Sequence, residues 1–263
     1  MDGAGAVRVA MWSGPRNIST AMLRSWGNRA DTVVCDEPLY AHYLLRTGLD
    51  HPGAAEIQRH HETDWRTVVE QLSGALPPGK TIFYQKQMAH HLLPEIDRAW
   101  LRHVTHCFLI RDPREMLTSL VRHLPHPRIE DTGLPQQLEI FEMVRRRSGE
   151  IPAVIDSRDV LLDPEGMLRG LCGALGVPFD SAMLCWPAGP RETDGVWARY
   201  WYAEVERSTR FAPYRAKADR LPDELTALHE SCRGFYDQLH AHRLRPRRGR
   251  GSAAAPPTPE PGG

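Results

Sequence analysis

The chain has 263 residues, and its 33 lysines and arginines balance its 33 aspartates and glutamates. This balance leaves no global field that would attract nucleic acid or an anionic membrane, so any anion site must be local. No apolar run approaches the roughly 20 residues of a membrane span, and the first residues lack a secretory signal pattern. We therefore expect a cytoplasmic protein with one main domain.

Five short apolar segments predict the strands of a sheet. They are residues 7–12, 32–36, 81–86, 105–110 and 152–156. Helical stretches separate these segments, and such alternation is typical of βαβ crossovers and a mainly parallel sheet covered on both faces. The predicted fold class is therefore α/β, a three-layer sandwich. Because ligands of such sheets bind beyond the carboxyl ends of the strands, the polar residues that follow each strand should converge.

Six helices are predicted, over residues 19–28, 65–72, 113–123, 135–147, 164–175 and 222–239. The last of them has apolar residues from Leu225 to Leu239 at alternating steps of three and four, which predicts a buried stripe. From Arg243 onward the chain turns basic and then becomes rich in proline, glycine and alanine. This composition predicts a single domain over residues 1–242 and a disordered tail over residues 243–263.

The segment after the first strand combines a tight turn with polar side chains, and it reads MWSGPRNISTAM from Met11 to Met22. A strand that passes through a Gly/Pro turn into a helix is a common anion cradle. The first N–H groups of the helix are unpaired there, and its dipole favours negative charge. The residues expected to bind the anion are Gly14, Pro15, Arg16, Asn17, Ile18, Ser19 and Thr20.

This segment does not match the phosphate loop of NTPases, GxxxxGK(S/T). With Gly14 as the first glycine, Ser19, Thr20 and Ala21 stand where glycine, lysine and the magnesium-binding hydroxyl are required. Arg16 supplies a fixed cation instead, which suits an anion bound without a metal. The cysteines and histidines show no metal-site spacing either, so we expect no metal ion.

A second arginine and serine follow the fourth strand, in FLIRDPREMLTSLVRHL. Arg111 stands at the end of the strand, and Ser119 lies about two turns into a helix that Pro113 opens. This pair of side chains is suited to grip a second phosphate.

Several of these segments, in this order along the chain, resemble motifs of the sulfotransferases. SGPRNIST resembles their 5'-phosphosulfate loop, and RDPREMLTS resembles their 3'-phosphate motif. The segment from Ile155 to Phe179 is similar to the strand, DP turn and helix of the family. QKQMAHHLLP resembles the Lys-Thr-His-Leu-Pro stretch of cytosolic members, with Met88 near the place of their histidine. GPRETDGVW resembles their late 3'-phosphate loop, Gly-x-x-Gly-x-Trp, through Arg191, Gly195 and Trp197.

The resemblance implies a fold of the P-loop nucleotide-binding type. It also implies transfer of a sulfuryl group from 3'-phosphoadenosine 5'-phosphosulfate (PAPS) to a hydroxyl or amine of a small-molecule acceptor. Ser19 and Thr20 would bind the 5'-phosphate, and Arg111 and Ser119 the 3'-phosphate. Arg16 would stabilise charge on the bridging and leaving-group oxygens, because donors aimed at developing charge carry such catalysis.

The acceptor must lose a proton, so a general base is required. Glu37, after the second strand, is the favoured base, and His90 is the next candidate. Lys86, at the end of the third strand, is a candidate second cation on the sulfuryl oxygens. Glu37 has a competing interpretation as a helix-start carboxylate or an ion-pair partner of an arginine.

Two other functions compete with the sulfotransferase. One is a P-loop kinase or NTPase, which the absent lysine and magnesium-binding hydroxyl disfavour. The other is a catalytically silent nucleotide-binding module with an intact loop and no working base. We expect neither a nucleic acid nor a membrane as partner. The acceptor and the oligomeric state are not defined by the sequence.

Overall fold

The computed structural model describes residues 5–216 and 220–245. Its strands are β1 (Val7–Ser13), β2 (Thr32–Asp36), β3 (Ile82–Met88), β4 (Thr105–Ile110) and β5 (Ala153–Asp156). They form one parallel sheet in the order β2-β3-β1-β4-β5. The five predicted strands and the α/β fold class are confirmed.

Helices cover both faces of the sheet. They are α1 (Ser19–Gly27), α2 (Tyr40–Thr47), α3 (Ala54–His60), α4 (Trp65–Ser73), α5 (Pro113–Leu120), α6 (Leu134–Ser148), α7 (Ser157–Leu162), α8 (Pro164–Ala174), α9 (Ala198–Trp201), α10 (Ala203–Glu206) and α11 (Thr226–Ala241). Short 3-10 turns lie at Ala89–His91, Ala99–His103, Ile129–Thr132, Ser181–Leu184 and Asp223–Leu225. The predicted helix over residues 113–123 ends early, at Leu120, shortly before two prolines. The helix predicted from residue 222 begins at Thr226, because a 3-10 turn precedes it.

Local capping explains where several of these helices start. The Asp112 carboxylate accepts a hydrogen bond from the Arg114 N–H at 2.9 Å, and Pro113 stands in the first turn of α5. Such a cap satisfies N–H groups that the helix itself leaves unpaired. The Asp156 carboxylate caps α7 in the same way, through the Arg158 N–H at 2.7 Å. The polar residues that follow β4 and β5 therefore begin helices.

The sheet is buried on both faces, as parallel sheets require. Successive residues of β1 point to opposite faces, so Trp12 packs toward α6 and α11 while Met11 packs toward α1 and α8. The predicted stripe of α11 is confirmed, because Leu225, Cys232 and Leu239 are buried in the first of these layers.

The chain continues to pack slightly beyond residue 242. Arg243 bridges to Val154 of β5 in parallel, and the Leu244 N–H donates to the Val154 carbonyl at 2.7 Å. The boundary predicted at Arg243 therefore falls on residues that contact the sheet. The predicted tail from residue 246 onward lies outside the described residues.

The loop after β1 lies tightly against the turn that leads into α6. A Cβ atom on Gly14 would lie 2.3 Å from the Thr132 carbonyl oxygen, which is a backbone atom and cannot swing away. The loop therefore requires glycine at this position.

We expect Gly14→Ala to destabilise the protein by about 1–3 kcal/mol, because the added methyl group forces the two backbones apart. Gly170→Ala is the matched control, since Gly170 lies inside α8 with open space around it. It should stabilise the protein by about 0.5–1 kcal/mol. Urea unfolding of both variants measures these changes, and an unchanged free energy of unfolding for Gly14→Ala would contradict the close approach.

Candidate active site

Three residues predicted to bind the anion lie in direct contact at the carboxyl ends of β1 and β4. The Nε of Arg16 donates to the Ser119 hydroxyl at 2.9 Å. The Arg111 guanidinium donates to the carbonyl oxygen of Arg16. Arg16 has a φ of 55°, in the left-handed region that residues other than glycine seldom adopt. These contacts hold the strained residue in place.

The loop presents its remaining polar groups to the start of α1. The Asn17 side chain accepts from the Ile18 N–H at 2.9 Å and donates to the Leu109 carbonyl at 3.0 Å, so it fastens the loop to β4. No side chain caps α1. Among the described residues, the hydroxyls of Ser19 and Thr20 form no hydrogen bond. Uncapped N–H groups and free hydroxyls at a helix start fit an anion.

Positive charge is concentrated around this loop. Burial lowers the pKa of Arg16; Glu204 opposes this effect, and the positive charges of Arg111 and Arg122 lower the pKa further. The guanidinium stays charged all the same, because its ordinary pKa is far above neutrality. Arg111 also pairs with Glu115 at 3.0 Å. A bound anion would relieve the repulsion among these cations.

A second cluster lies at the carboxyl end of β2 and beside it on β3. The sequence predicted Lys86 at the end of the third strand, but β3 continues to Met88, so Lys86 lies two residues before the strand end. The Lys86 ammonium is 1% exposed, and it donates to Asp36 at 2.9 Å, to Glu37 at 2.7 Å and to the Tyr202 hydroxyl at 2.6 Å. An ammonium group has three N–H donors, so these three partners use them all. Lys86 is therefore placed to hold Glu37 and has no N–H left for another oxygen.

Glu37 combines strain with one free oxygen. Its φ is 42°, and its N–H donates to the Lys86 carbonyl at 3.0 Å. Lys86 binds Oε1, whereas Oε2 has no hydrogen-bond partner among the described residues. Burial raises the pKa of Glu37; Lys86 lowers it, and the negative charge of Asp36 raises it again, with a net increase. The free oxygen belongs to a carboxylate with enhanced basicity.

His90 lies in the 3-10 turn after β3. Burial, with a smaller contribution from His51, lowers the pKa of His90 to about 3, so the ring is neutral. Its Nδ1 and the Oε1 of Gln136 are both buried without a partner in the described part of the chain, and both residues line a cavity of about 190 Å³. Met88, near the place of the family's histidine, is buried and accepts a hydrogen bond from Ser13.

Arg191 and Gly195, which belong to the predicted late 3'-phosphate loop, lie in a turn that an ion pair connects to α1. The Arg191 N–H donates to Asp194, whose carboxylate forms a buried ion pair with Arg24 of α1 at 2.8 Å. Gly195 packs against the Trp197 ring. Among the described residues, no hydrogen bond or ion pair joins Arg191 or Gly195 to Arg111 or Ser119, so their role in binding stays a prediction.

Tyr202, Asp36 and Tyr214 belong to these two clusters, and the sequence did not single them out. Asp36 could have been identified from the sequence, because it is a second carboxylate at a predicted strand end. Tyr202 reaches Asp36 from 166 residues away, and nothing in its local pattern separates it from a core aromatic residue. Tyr214 donates to Glu115 at 2.6 Å, which places its segment beside the Arg111 pair.

Within residues 5–216 and 220–245, no group of three or more histidines, cysteines and carboxylates is placed to hold a metal ion. No helix there is long and apolar enough to cross a membrane.

Comparison with known proteins identifies the class to which this fold and loop belong. The profile of the sulfotransferase domain family matches residues 7–242, so the chain belongs to that family. Two Arabidopsis thaliana proteins, named branched-chain-amino-acid aminotransferase-like proteins 1 and 2, are 35% and 34% identical to it over 237 and 235 residues. Each match covers 89% of this chain but only 42% and 41% of the relatives, so the chain spans less than half their length.

Solved structures agree with the fold. The sulfotransferase domain of the Synechococcus PCC 7002 olefin synthase is 17% identical, with a TM-score of 0.50 over 88% of this chain and 96% of that domain. A sulfotransferase from Alicyclobacillus acidocaldarius is 14% identical, with a TM-score of 0.50 over 92% of this chain and 98% of that one. At these identities the likeness shows a shared fold.

The left-handed φ of Arg16 predicts an order of stability between two variants. We expect Arg16→Gly to be more stable than Arg16→Ala by about 1 kcal/mol, because alanine at a positive φ is strained. In thermal unfolding this corresponds to about 2–4 °C. Both variants lose the same contact to Ser119, so the comparison isolates the backbone. Equal melting temperatures, or a more stable alanine variant, would contradict the strained conformation.

Proposed function

We propose that this chain is a sulfotransferase that uses PAPS and transfers the sulfuryl group to a hydroxyl or amine of a small-molecule acceptor. One observation carries the proposal: Arg16, Ser119 and Arg111 lie in direct contact beside the uncapped start of α1. This arrangement offers cations, hydroxyls and N–H groups to an anion with two phosphate positions. The family assignment supports the reaction class.

In this proposal the loop residues hold the donor. The N–H groups at the start of α1, with the hydroxyls of Ser19 and Thr20, bind the 5'-phosphate. Arg16 contacts the bridging oxygen between phosphorus and sulfur, where negative charge develops as the bond breaks. Arg111 and Ser119 bind the 3'-phosphate, which selects PAPS over nucleotides that lack this group.

Glu37 acts as the general base. The acceptor oxygen or nitrogen attacks sulfur and forms a new bond to it, while the bond from sulfur to the phosphate oxygen breaks. The acceptor proton passes to Oε2 of Glu37, and 3'-phosphoadenosine 5'-phosphate leaves. Lys86 holds Oε1, so the carboxylate is oriented with its other oxygen free. His90 remains the second candidate for the base.

The competing functions make different demands on the same residues. A kinase or NTPase needs a hydroxyl for magnesium, and Ala21 stands at that position. A silent module would bind the nucleotide without turnover. The aminotransferase-like names belong to proteins of which this chain spans less than half, and our proposal rests on the loop residues of the chain itself.

We expect 3'-phosphoadenosine 5'-phosphate, without metal, to raise the melting temperature. At 100 times its dissociation constant a ligand stabilises by about 2.7 kcal/mol, which corresponds to about 5–11 °C. Arg111→Ala should lose this shift, and adenosine 5'-monophosphate should give a smaller one. Arg169→Ala, an exposed arginine on α8, is the matched control and should keep it. A shift with ATP and magnesium alone would favour the kinase.

Glu37→Gln should reduce turnover by about 10²–10⁴-fold and keep the nucleotide-induced thermal shift, because only the proton acceptor is removed. Turnover of the wild-type chain should fall as the pH is lowered through the pKa of Glu37. Burial places that pKa above the ordinary 4.5, and the protonated carboxyl accepts no proton.

His90→Gln is the comparison variant for Glu37→Gln. Loss of turnover in this variant alone would transfer the role of base to His90. Binding without turnover by the wild-type chain, across hydroxyl and amine acceptors, would favour the silent module.

A further inference from the structure

We propose that Asp36 and Tyr202 are positioning residues that orient Glu37 and set its basicity through the buried ammonium of Lys86. The proposal rests on the proposed role of Glu37 as the general base. The proposal gives a role to two residues that need not touch PAPS or the acceptor and that do not belong to the nucleotide loop.

The geometry joins three separate segments at one nitrogen atom. Asp36 ends β2 and is paired in register with Lys86 of β3, so their side chains leave neighbouring strands side by side. Tyr202 arrives from the junction of α9 and α10. Its hydroxyl accepts from Lys86 at 2.6 Å and donates to the second oxygen of Asp36 at 2.6 Å. The Trp197 ring N–H also donates to that hydroxyl, at 3.2 Å.

These contacts leave the ammonium without rotational freedom. A lysine side chain normally gains little orientation from one ion pair, because its four-carbon stem is flexible. Here each of the three N–H donors has its own acceptor, and Lys86 and Asp36 are each 1% exposed. The third donor can therefore point only at Oε1 of Glu37.

The cluster holds one positive group and two negative groups, and the excess negative charge affects Glu37 most. One ammonium faces two carboxylates in a buried site, where like charges disfavour full ionisation. Asp36 accepts from both Lys86 and Tyr202, whereas Glu37 accepts from Lys86 alone. Glu37 is the carboxylate with the fewer hydrogen-bond donors and with one free oxygen, so it is the group on which an incoming proton is best accommodated.

The groups around Glu37 and its partner Asp36 come from five places in the fold. Asp36 lies on β2, Lys86 on β3, and Tyr202 between α9 and α10. Tyr40 lies at the start of α2; burial raises its pKa, and the charge of Glu37 raises it further, so this hydroxyl stays neutral. His61 follows α3; burial lowers its pKa, and Asp36 opposes this. Lys86 is therefore the positive charge that stabilises ionised Glu37.

A tyrosine–aspartate pair at the other edge of the sheet provides a control that distinguishes effects on turnover from effects on stability. The Tyr236 hydroxyl donates to Asp156 at the end of β5, buried and at 2.7 Å, as Tyr202 does to Asp36. Asp156 has no lysine beside it among its hydrogen-bond and ion-pair partners in the described chain. Tyr236→Phe thus removes the same type of hydrogen bond from the same type of position, far from Glu37 in the strand order.

The first test follows the Glu37 carboxyl by carbon-13 NMR across pH in the full chain. Its signal is assigned by its disappearance in Glu37→Gln. In Asp36→Asn the pKa of Glu37 should fall, because the neighbouring negative charge is gone and Lys86 has one carboxylate fewer. Tyr236→Phe should leave it unchanged. An unchanged titration in folded Asp36→Asn would overturn the proposal.

The second test compares kcat with KM. We expect Tyr202→Phe to reduce kcat by about 10–100-fold and to leave the KM for PAPS unchanged, because the base is misplaced while the nucleotide loop is intact. The acid limb of the kcat profile in Asp36→Asn should move to lower pH. Tyr236→Phe should also lower the stability, but by less than Tyr202→Phe, because the Tyr236 hydroxyl has one hydrogen-bond partner and the Tyr202 hydroxyl has three; it should keep kcat. Equal kcat values for the two phenylalanine variants would overturn the proposal.

The two proposals fail in different ways. Absence of a nucleotide-induced thermal shift in the wild-type chain would contradict the proposed function, while the NMR titration would still decide whether Asp36 acts on Glu37. A normal thermal shift with turnover that responds equally to both phenylalanine variants would leave the proposed function intact and remove the positioning role.

Discussion

The buried ammonium of Lys86 is the constraint on which the cluster at β2 and β3 depends. An unpaired buried charge is very unfavourable, so its partners must all be present when the fold closes. Those partners come from β2, from the turn after it, and from the junction of α9 and α10. The Lys86 side chain therefore connects Tyr202, late in the chain, to strands β2 and β3. The contacts that pair the buried charge of Lys86 therefore also fix the position of Glu37.

Backbone strain is concentrated where the chemistry is proposed. Arg16 and Glu37 are the two residues other than glycine with positive φ in the described chain, and each follows a strand end by one to three residues. Such conformations persist only where the surroundings over-determine them. Arg111 holds the carbonyl of Arg16, and the Lys86 carbonyl holds the N–H of Glu37. Both hydrogen-bond partners lie on a neighbouring strand or at its end, so the sheet stabilises the strained backbone of Arg16 and Glu37.

The strands and the nucleotide loop could be predicted from the sequence because their signals are local. A strand buried on both faces is a continuous apolar run, and a loop that binds an anion must carry its cation and hydroxyls within a few residues. The role of Lys86 could not be predicted in this way. The sequence shows a lysine at a strand end, but whether its N–H donors are free depends on Tyr202, which arrives through tertiary packing. Tyr202 ends α9, and its hydroxyl turns inward to Asp36.

The strand order separates the two charge clusters. The connection that leaves β1 leads to β2 on one side of the sheet, and the connection that leaves β4 leads to β5 on the other side. The strand order therefore reverses between β1 and β4, which is where ligands of open α/β sheets bind. The cations Arg16 and Arg111 follow β1 and β4, and the carboxylates Asp36 and Glu37 lie at the end of β2 and directly after it. The proposed donor carries two phosphates and the proposed acceptor must lose a proton, so the two need opposite surroundings. The strand order keeps the arginines apart from these carboxylates, and Lys86 and Tyr202 hold the carboxylates in place.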